Sequence, residues 1–211
     1  IGFSYGNGLA ITEDKGLTWT SDFLNTISPG EIVEKGGVIF AHNDFVFYYS
    51  EDFGKTWNGG TYDLFLFDTR FVAFSKGKKM YYLDPVSSND FKVLDLIDST
   101  TYQIPFSDPT TIVCLETSFN EEKLYVLTRE WQPNGSDQYF IQKTVDGGKT
   151  FSKSPIPNFK PAEYYIVRLT SDHLGNLYLN DPDFVLISKD DGLTWNDITP
   201  LGITSSTSWR R

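Results

Sequence analysis

Four aspartates, Asp14, Asp52, Asp146 and Asp190, sit in near-identical surroundings along this chain. Each belongs to an octet that reads hydroxyl, any, Asp, any, Gly, any, Thr, aromatic, at residues 12–19, 50–57, 144–151 and 188–195. A carboxylate beside a hydroxyl has the chemistry of a metal ligand or a general acid. Repetition argues for a different role, because a group needed once for a reaction need not return once per structural unit. Inside a turn, the same carboxylate accepts hydrogen bonds from the backbone of its own loop. Gly54 permits a positive φ there. Ser50 and Thr56 are expected to pair across the hairpin mouth, and Trp57 to fill the gap to a neighbouring unit. Gly16, Trp19, Gly148, Phe151, Gly192 and Trp195 hold the matching places in the other copies.

Other reactive side chains are scattered. Arg70, Arg129 and Arg168 come from three different units and could converge on a carboxylate or a sugar. The competing reading pairs them with some of the 28 acidic residues. A glycosidase needs two carboxylates ~5–10 Å apart. Glu31, Glu34, Glu116 and Glu163 are available, but no spacing singles out a pair, so no catalytic residue is assigned. His42 and His173 fall beside turn residues and read as solvated, with no second ligand at zinc spacing. Asp44, Asp181 and Asp183 lack a calcium-loop pattern. No metal and no cofactor are implied. Cys114, the single cysteine, lies in an apolar run and reads as a buried thiol. Trp131, in an insertion at 130–137, and Tyr102, in an irregular stretch at 98–109, are the aromatics that packing does not require. Each is a binding anchor or a ring folded onto a blade edge. Asn134-Gly135-Ser136 matches a glycosylation acceptor.

The elements that must position these residues are short runs rich in β-branched and aromatic residues, separated by Gly, Asn, Asp and Lys turns. Residues 31–34, 38–41 and 45–49 read as three strands, and the octet at 50–57 leads into a fourth. The aromatics that close the octets, with Phe91 standing for a decayed copy at 84–91, recur about every 44 residues, the length of a propeller blade. The chain of 211 residues, with 17 Phe, 12 Tyr and 5 Trp, is sized for one domain spanning 1–211. We expect an all-β propeller of four-stranded antiparallel blades. The count is five, with a strand near 207–211 closing the first blade, whose own first strand is missing. The alternative is a fragment of a larger propeller.

The octets resemble the Asp-box, or BNR repeat, of sialidases, xyloglucanases, photosystem-assembly propellers and sortilin-type receptors. That resemblance implies that each octet forms the turn between the third and fourth strands of a blade. It also implies an extracytoplasmic setting: secreted, periplasmic or cell-surface. No basic-then-apolar leader precedes Ile1, so a leader has been removed or the chain is a cut piece. Sialidases of this type bind a substrate carboxylate with three arginines, but their arginine-isoleucine-proline opening is absent here and the chain is shorter than their catalytic domain.

Net charge of −10 argues against nucleic acid, and no apolar stretch approaches the ~20 residues of a membrane span. The expectation is a non-catalytic binding or scaffold propeller whose partner is a protein or a glycan, with membership of a larger surface assembly left open. The alternative is a glycoside hydrolase or sialidase-like domain. The candidate binding residues are Trp131, Arg70, Arg129, Arg168 and Tyr102. If Asp52 serves its turn, Asp52→Ala lowers the melting temperature. An unchanged melt, read by circular dichroism, speaks against that role.

Overall fold

In the computed structural model, residues 2–3, 9–12, 14–23, 31–42, 46–61, 71–84, 90–106, 111–133, 135–161 and 167–200 are described. They form five antiparallel sheets arranged as a β-propeller. The first blade has three described strands, β1 (Gly2–Phe3), β2 (Leu9–Ile11) and β3 (Thr20–Phe23). The second has β4 (Glu31–Lys35), β5 (Val38–His42), β6 (Val46–Ser50) and β7 (Asn58–Thr61). The third has β8 (Val72–Phe74), β9 (Lys79–Asp84), β10 (Asp90–Asp95) and β11 (Thr101–Gln103). The fourth has β12 (Thr111–Thr117), β13 (Leu124–Trp131), β14 (Asp137–Thr144) and β15 (Ser152–Pro155). The fifth has β16 (Arg168–Ser171), β17 (Leu177–Asn180), β18 (Val185–Ser188) and β19 (Asn196–Asp197). Each blade is a simple meander in chain order. The expected closing strand at 207–211 lies outside the described residues. Among the described residues, no helix is long and apolar enough to cross a membrane.

Side chains alternate along a strand, so a blade presents two faces, and in the third and fourth blades both are apolar. In β9, Met80 and Tyr82 pack with Phe40, Phe47 and Tyr49 of the second blade. Tyr81 and Leu83 point the other way, to Leu115, Leu124 and Val126 of the fourth. β13 repeats the arrangement: Leu124 and Val126 face the third blade, Tyr125 and Leu127 the fifth. The core is therefore a series of layers between blades. Cys114 lies in the layer between the fourth and fifth blades and is buried. A bulge between Ile112 and Cys114 lets Val113 and Cys114 share one layer while Leu115 enters the other.

The four octets share one hydrogen-bond pattern. In the second blade, Ser50 Oγ donates to Asp52 Oδ1 (2.8 Å) and accepts from the Gly54 N–H (2.7 Å). The Thr56 N–H donates to Oδ1 (2.8 Å) and its hydroxyl to Oδ2 (2.6 Å). Asp14, Asp146 and Asp190 accept the same set. Ser50 and Thr56 thus meet through the carboxylate between them, not directly as the sequence suggested. The tryptophan N–H of Trp19, Trp57 and Trp195 returns to the carbonyl of its own octet's glycine, at 2.9 to 3.2 Å. Phe151 and Trp195 lie half-buried against the layer between their blade and the preceding one. At Gly54, φ is +87°, and a Cβ would come within 2.4 Å of Ile11 in the first blade. That glycine is required both by its conformation and by the approach of a neighbour.

Three readings of the sequence need correction. The turn between the third and fourth strands of the third blade is 96–100, not 84–91. It has a short Asp turn, with Asp98 Oδ1 accepting from the Thr100 N–H and hydroxyl. Phe91 is a buried residue of β10. Tyr102 lies on β11 rather than in an irregular loop. The insertion at 130–137 is the tip of one long hairpin, with Trp131 paired in register with Asp137.

Hydrogen bonds from the Thr18 and Thr56 hydroxyls, then from their N–H groups, hold Asp14 and Asp52 at pKa values of about 2. Asp146 and Asp190 are lowered by the equivalent threonines. The unfolded chain takes up these protons first, near pH ~3.9. The stabilisation is therefore complete above that value and is lost as pH falls through about 2. We expect the melting temperature to fall steeply from pH 4 to pH 2, and Asp52→Asn to flatten that fall. A variant with the full wild-type slope would contradict the linkage.

Candidate functional site

The first strands β4, β8, β12 and β16 stand nearest the axis, with β12 packed beside both β8 and β16. They run in the same sense. Because strands alternate in direction, their C-terminal ends lie at the same face as the octets. Lys35, Glu116 and Ser171 sit at those ends, from three different blades. Lys35 is 5% exposed, and its ammonium ion-pairs with Glu116. The same ammonium donates to the Thr117 carbonyl (3.0 Å) and to Ser171 Oγ (3.1 Å). The Ser171 hydroxyl lies 2.8 Å from both Glu116 Oε1 and the Thr117 carbonyl. Thr117 also donates its hydroxyl to the Phe74 carbonyl, which brings in the third blade. Burial raises the Glu116 pKa, and Lys35 opposes that rise. The sequence offered Glu116 without its partners.

Beneath this cluster lies an axial cavity of about 110 Å3, lined by all four inner strands. Towards its other end stand Glu31, His42 and Arg168. His42 is not a solvated turn residue. It ends β5, is 5% exposed, stacks on Phe47 (5.6 Å between ring centres), and holds Nε2 3.5 Å from Glu31 Oε2. His173 is exposed in its turn, as expected. Glu34 is exposed and accepts from the Gly37 N–H at 2.6 Å.

The candidate residues do not form one cluster. Arg168 begins β16 and donates to the Val167 carbonyl (3.2 Å). Arg129 pairs in register with Thr111 and lies 3.4 Å from Asp137. Trp131 is 73% exposed at the hairpin tip, on the face opposite the octets. Tyr102 is 41% exposed on the octet side, between the third and fourth blades. Arg70 and Glu163 lie outside the described residues. Asp181 accepts from the N–H groups of Asp183 and Phe184 and shapes its own turn. No group of three or more His, Cys, Asp or Glu able to hold a metal occurs among the described residues.

Comparison with known proteins agrees with this geometry. The BNR/Asp-box repeat family matches residues 48–58. YCF48 from Cyanidioschyzon merolae is similar in structure, at 11% identity and a TM-score of 0.56 over 94% of this chain and 69% of that one. YCF48 bound to D1 peptide gives 13% identity and a TM-score of 0.54 over 93% of this chain and 62% of that one. The GH74 enzyme of Niastella koreensis gives 15% identity and 0.50 over 78% and 23%. The chain thus spans about three-fifths of that peptide-bound YCF48 and under a quarter of the GH74 enzyme. No curated protein matches the chain in sequence. Residues 48–58 match the BNR/Asp-box repeat, and the chain shares the β-propeller fold of these structures.

Removing one member of a buried ion pair strands the other charge in low dielectric. Glu116→Leu or Lys35→Met alone should cost ~3–5 kcal/mol, and the double variant far less. Denaturant unfolding of all three tests this. Additive losses would show that the two charges do not act as a pair.

Proposed function

We propose that this chain, as one domain over 1–211, is a non-catalytic propeller that binds a protein or glycan partner outside the cytoplasm. The observation supporting this is the state of Glu116. Glu116, an inner-strand acid of the axial cavity, is held by Lys35 and Ser171 and ties blades together. A carboxylate so engaged is poorly placed to pass a proton to a substrate. What the repeat leaves over is Trp131, beyond the packing of its blade, Arg129 on the same hairpin, and Arg168 at one end of the axial cavity. An exposed indole on a rigid hairpin suits a partner's apolar pocket or a sugar face. YCF48 holds a D1 peptide on the same fold, which supports a protein segment as one kind of partner.

A glycan array run beside a mass-spectrometric pull-down tests this reading. Trp131→Ala should weaken capture by ~10-fold or more, the effect of an anchor residue. A partner kept by Trp131→Ala and lost with Arg70→Ala or Arg168→Ala would move the site to the axis. Turnover of a fluorogenic glycoside that disappears with one carboxylate substitution, such as Glu31→Gln, would overturn the non-catalytic reading.

A further inference from the structure

A groove of about 450 Å3 runs between the third and fourth blades on the octet face. Its size falls within the ~300–1,000 Å3 of small-ligand sites. It lies away from the Trp131 tip, which is on the opposite face. Lys79 and Tyr81 of β9 form one wall with Tyr102 and Gln103 of β11. Glu122 and the octet segment 145–149 form the other. The floor is dense, since a Cβ on Gly148 would come within 2.7 Å of Ile104. The Tyr102 hydroxyl reaches across to Gly147, 3.6 Å from where a Cβ would stand.

The acceptors and donors of this groove differ in a decisive way. Its two carboxylates are engaged. Glu122 Oε1 accepts from the Gly77 N–H at 2.8 Å. Asp146 accepts from Thr144, from the Lys149 N–H, and from the N–H and hydroxyl of Thr150. The donors are not engaged. Among the described residues, neither the Lys79 nor the Lys149 ammonium has a carboxylate within 4.0 Å, and no hydrogen bond occupies the Tyr81 or Tyr102 hydroxyl. The overall field repels anions, so an anion held here must be held by these local donors.

We infer that this groove is a subsite for an acidic saccharide. The sugar ring lies against the half-exposed Tyr102, its hydroxyl and ether oxygens accept from the Tyr81 hydroxyl, and its carboxylate takes the Lys79 and Lys149 ammoniums. A neutral sugar leaves both ammoniums unmatched. An acidic peptide brings N–H donors that Asp146, already engaged by its own turn, does not meet.

Titration calorimetry with tri-galacturonate, maltotriose, hexaglutamate and sulfate separates the possibilities. Tri-galacturonate should saturate with a Kd of ~1 mM or tighter, and maltotriose should bind at least ~10-fold more weakly. Lys79→Gln, Lys149→Gln and Tyr102→Leu should each weaken tri-galacturonate by ~10-fold. All three sites are at least partly exposed, and circular dichroism melts check that these variants fold. Trp131→Ala should leave this binding unchanged. No saturation at ~20 mM overturns the inference. So does unaltered binding by a folded Lys79→Gln/Lys149→Gln double variant, tighter binding of hexaglutamate, or equally tight binding of sulfate alone. Failure here leaves the Trp131-dependent capture standing, and failure of that capture leaves the groove standing, because the two use different side chains on different faces.

Discussion

A propeller blade has two apolar faces and cannot bury either by itself. In this chain the alternation along β9 and β13 sends successive residues to opposite neighbours, so the third and fourth blades are each the second half of one core layer and the first half of the next. Stability is then a property of adjacent pairs of blades more than of any one blade. Single substitutions report on one layer. A change at Leu127 is felt between the fourth and fifth blades, and a change at Val126 between the third and fourth.

Two polar devices hold this stack at different radii, and their energetics differ. The octet is local: every bond that Asp52 accepts comes from within four residues. It satisfies a turn where water is near, so it can be repeated, degraded or replaced by a short Asp turn, as at 96–100, without consequence elsewhere. The axial cluster joins residues far apart in sequence. Its charges are out of water, so an apolar pair of the same shape would hold the inner strands about as well. What the ion pair adds is identity: Lys35, Glu116 and Ser171 meet only when the ends of β4, β12 and β16 reach the same height.

The same distinction explains what the sequence disclosed. The octets were legible because their chemistry lies inside eight residues, and the blade length followed from their spacing. Where the octet was lost, only spacing remained, and an aromatic in the right place, Phe91, was mistaken for its end. The actual turn, five residues further on, carries no aromatic and no box glycine. Tyr102 was read as loop because three residues between a turn and Pro105 are too few for a periodic signal. His42 was misread from its neighbours Asn43 and Asp44, since turn residues just after a strand mask the last strand position. The axial network had no local signal at all. Glu116 could be named as an inner-strand acid, but Lys35 lies 81 residues away and Ser171 another 55 in the other direction. Counting each first strand back from its following turn would have put the three at equivalent heights.

Function on such a scaffold has to come from side chains the repeat does not use. The box aspartates are spoken for by their threonines, Glu116 by Lys35, and most strand aromatics by the layers between blades. Trp131, Tyr102, Lys79 and Lys149 share the opposite property: nothing in the packing or hydrogen bonding of their blades explains their chemistry. Trp131, Tyr102 and Lys79 sit on strands or at strand ends, and Lys149 in a hydrogen-bonded octet turn, so the backbone is already held and a ligand need not order a loop in order to bind. The two faces therefore present different surfaces on one frame. One carries an exposed indole on a hairpin tip, and the other a cleft between blades lined by two ammoniums and two tyrosines.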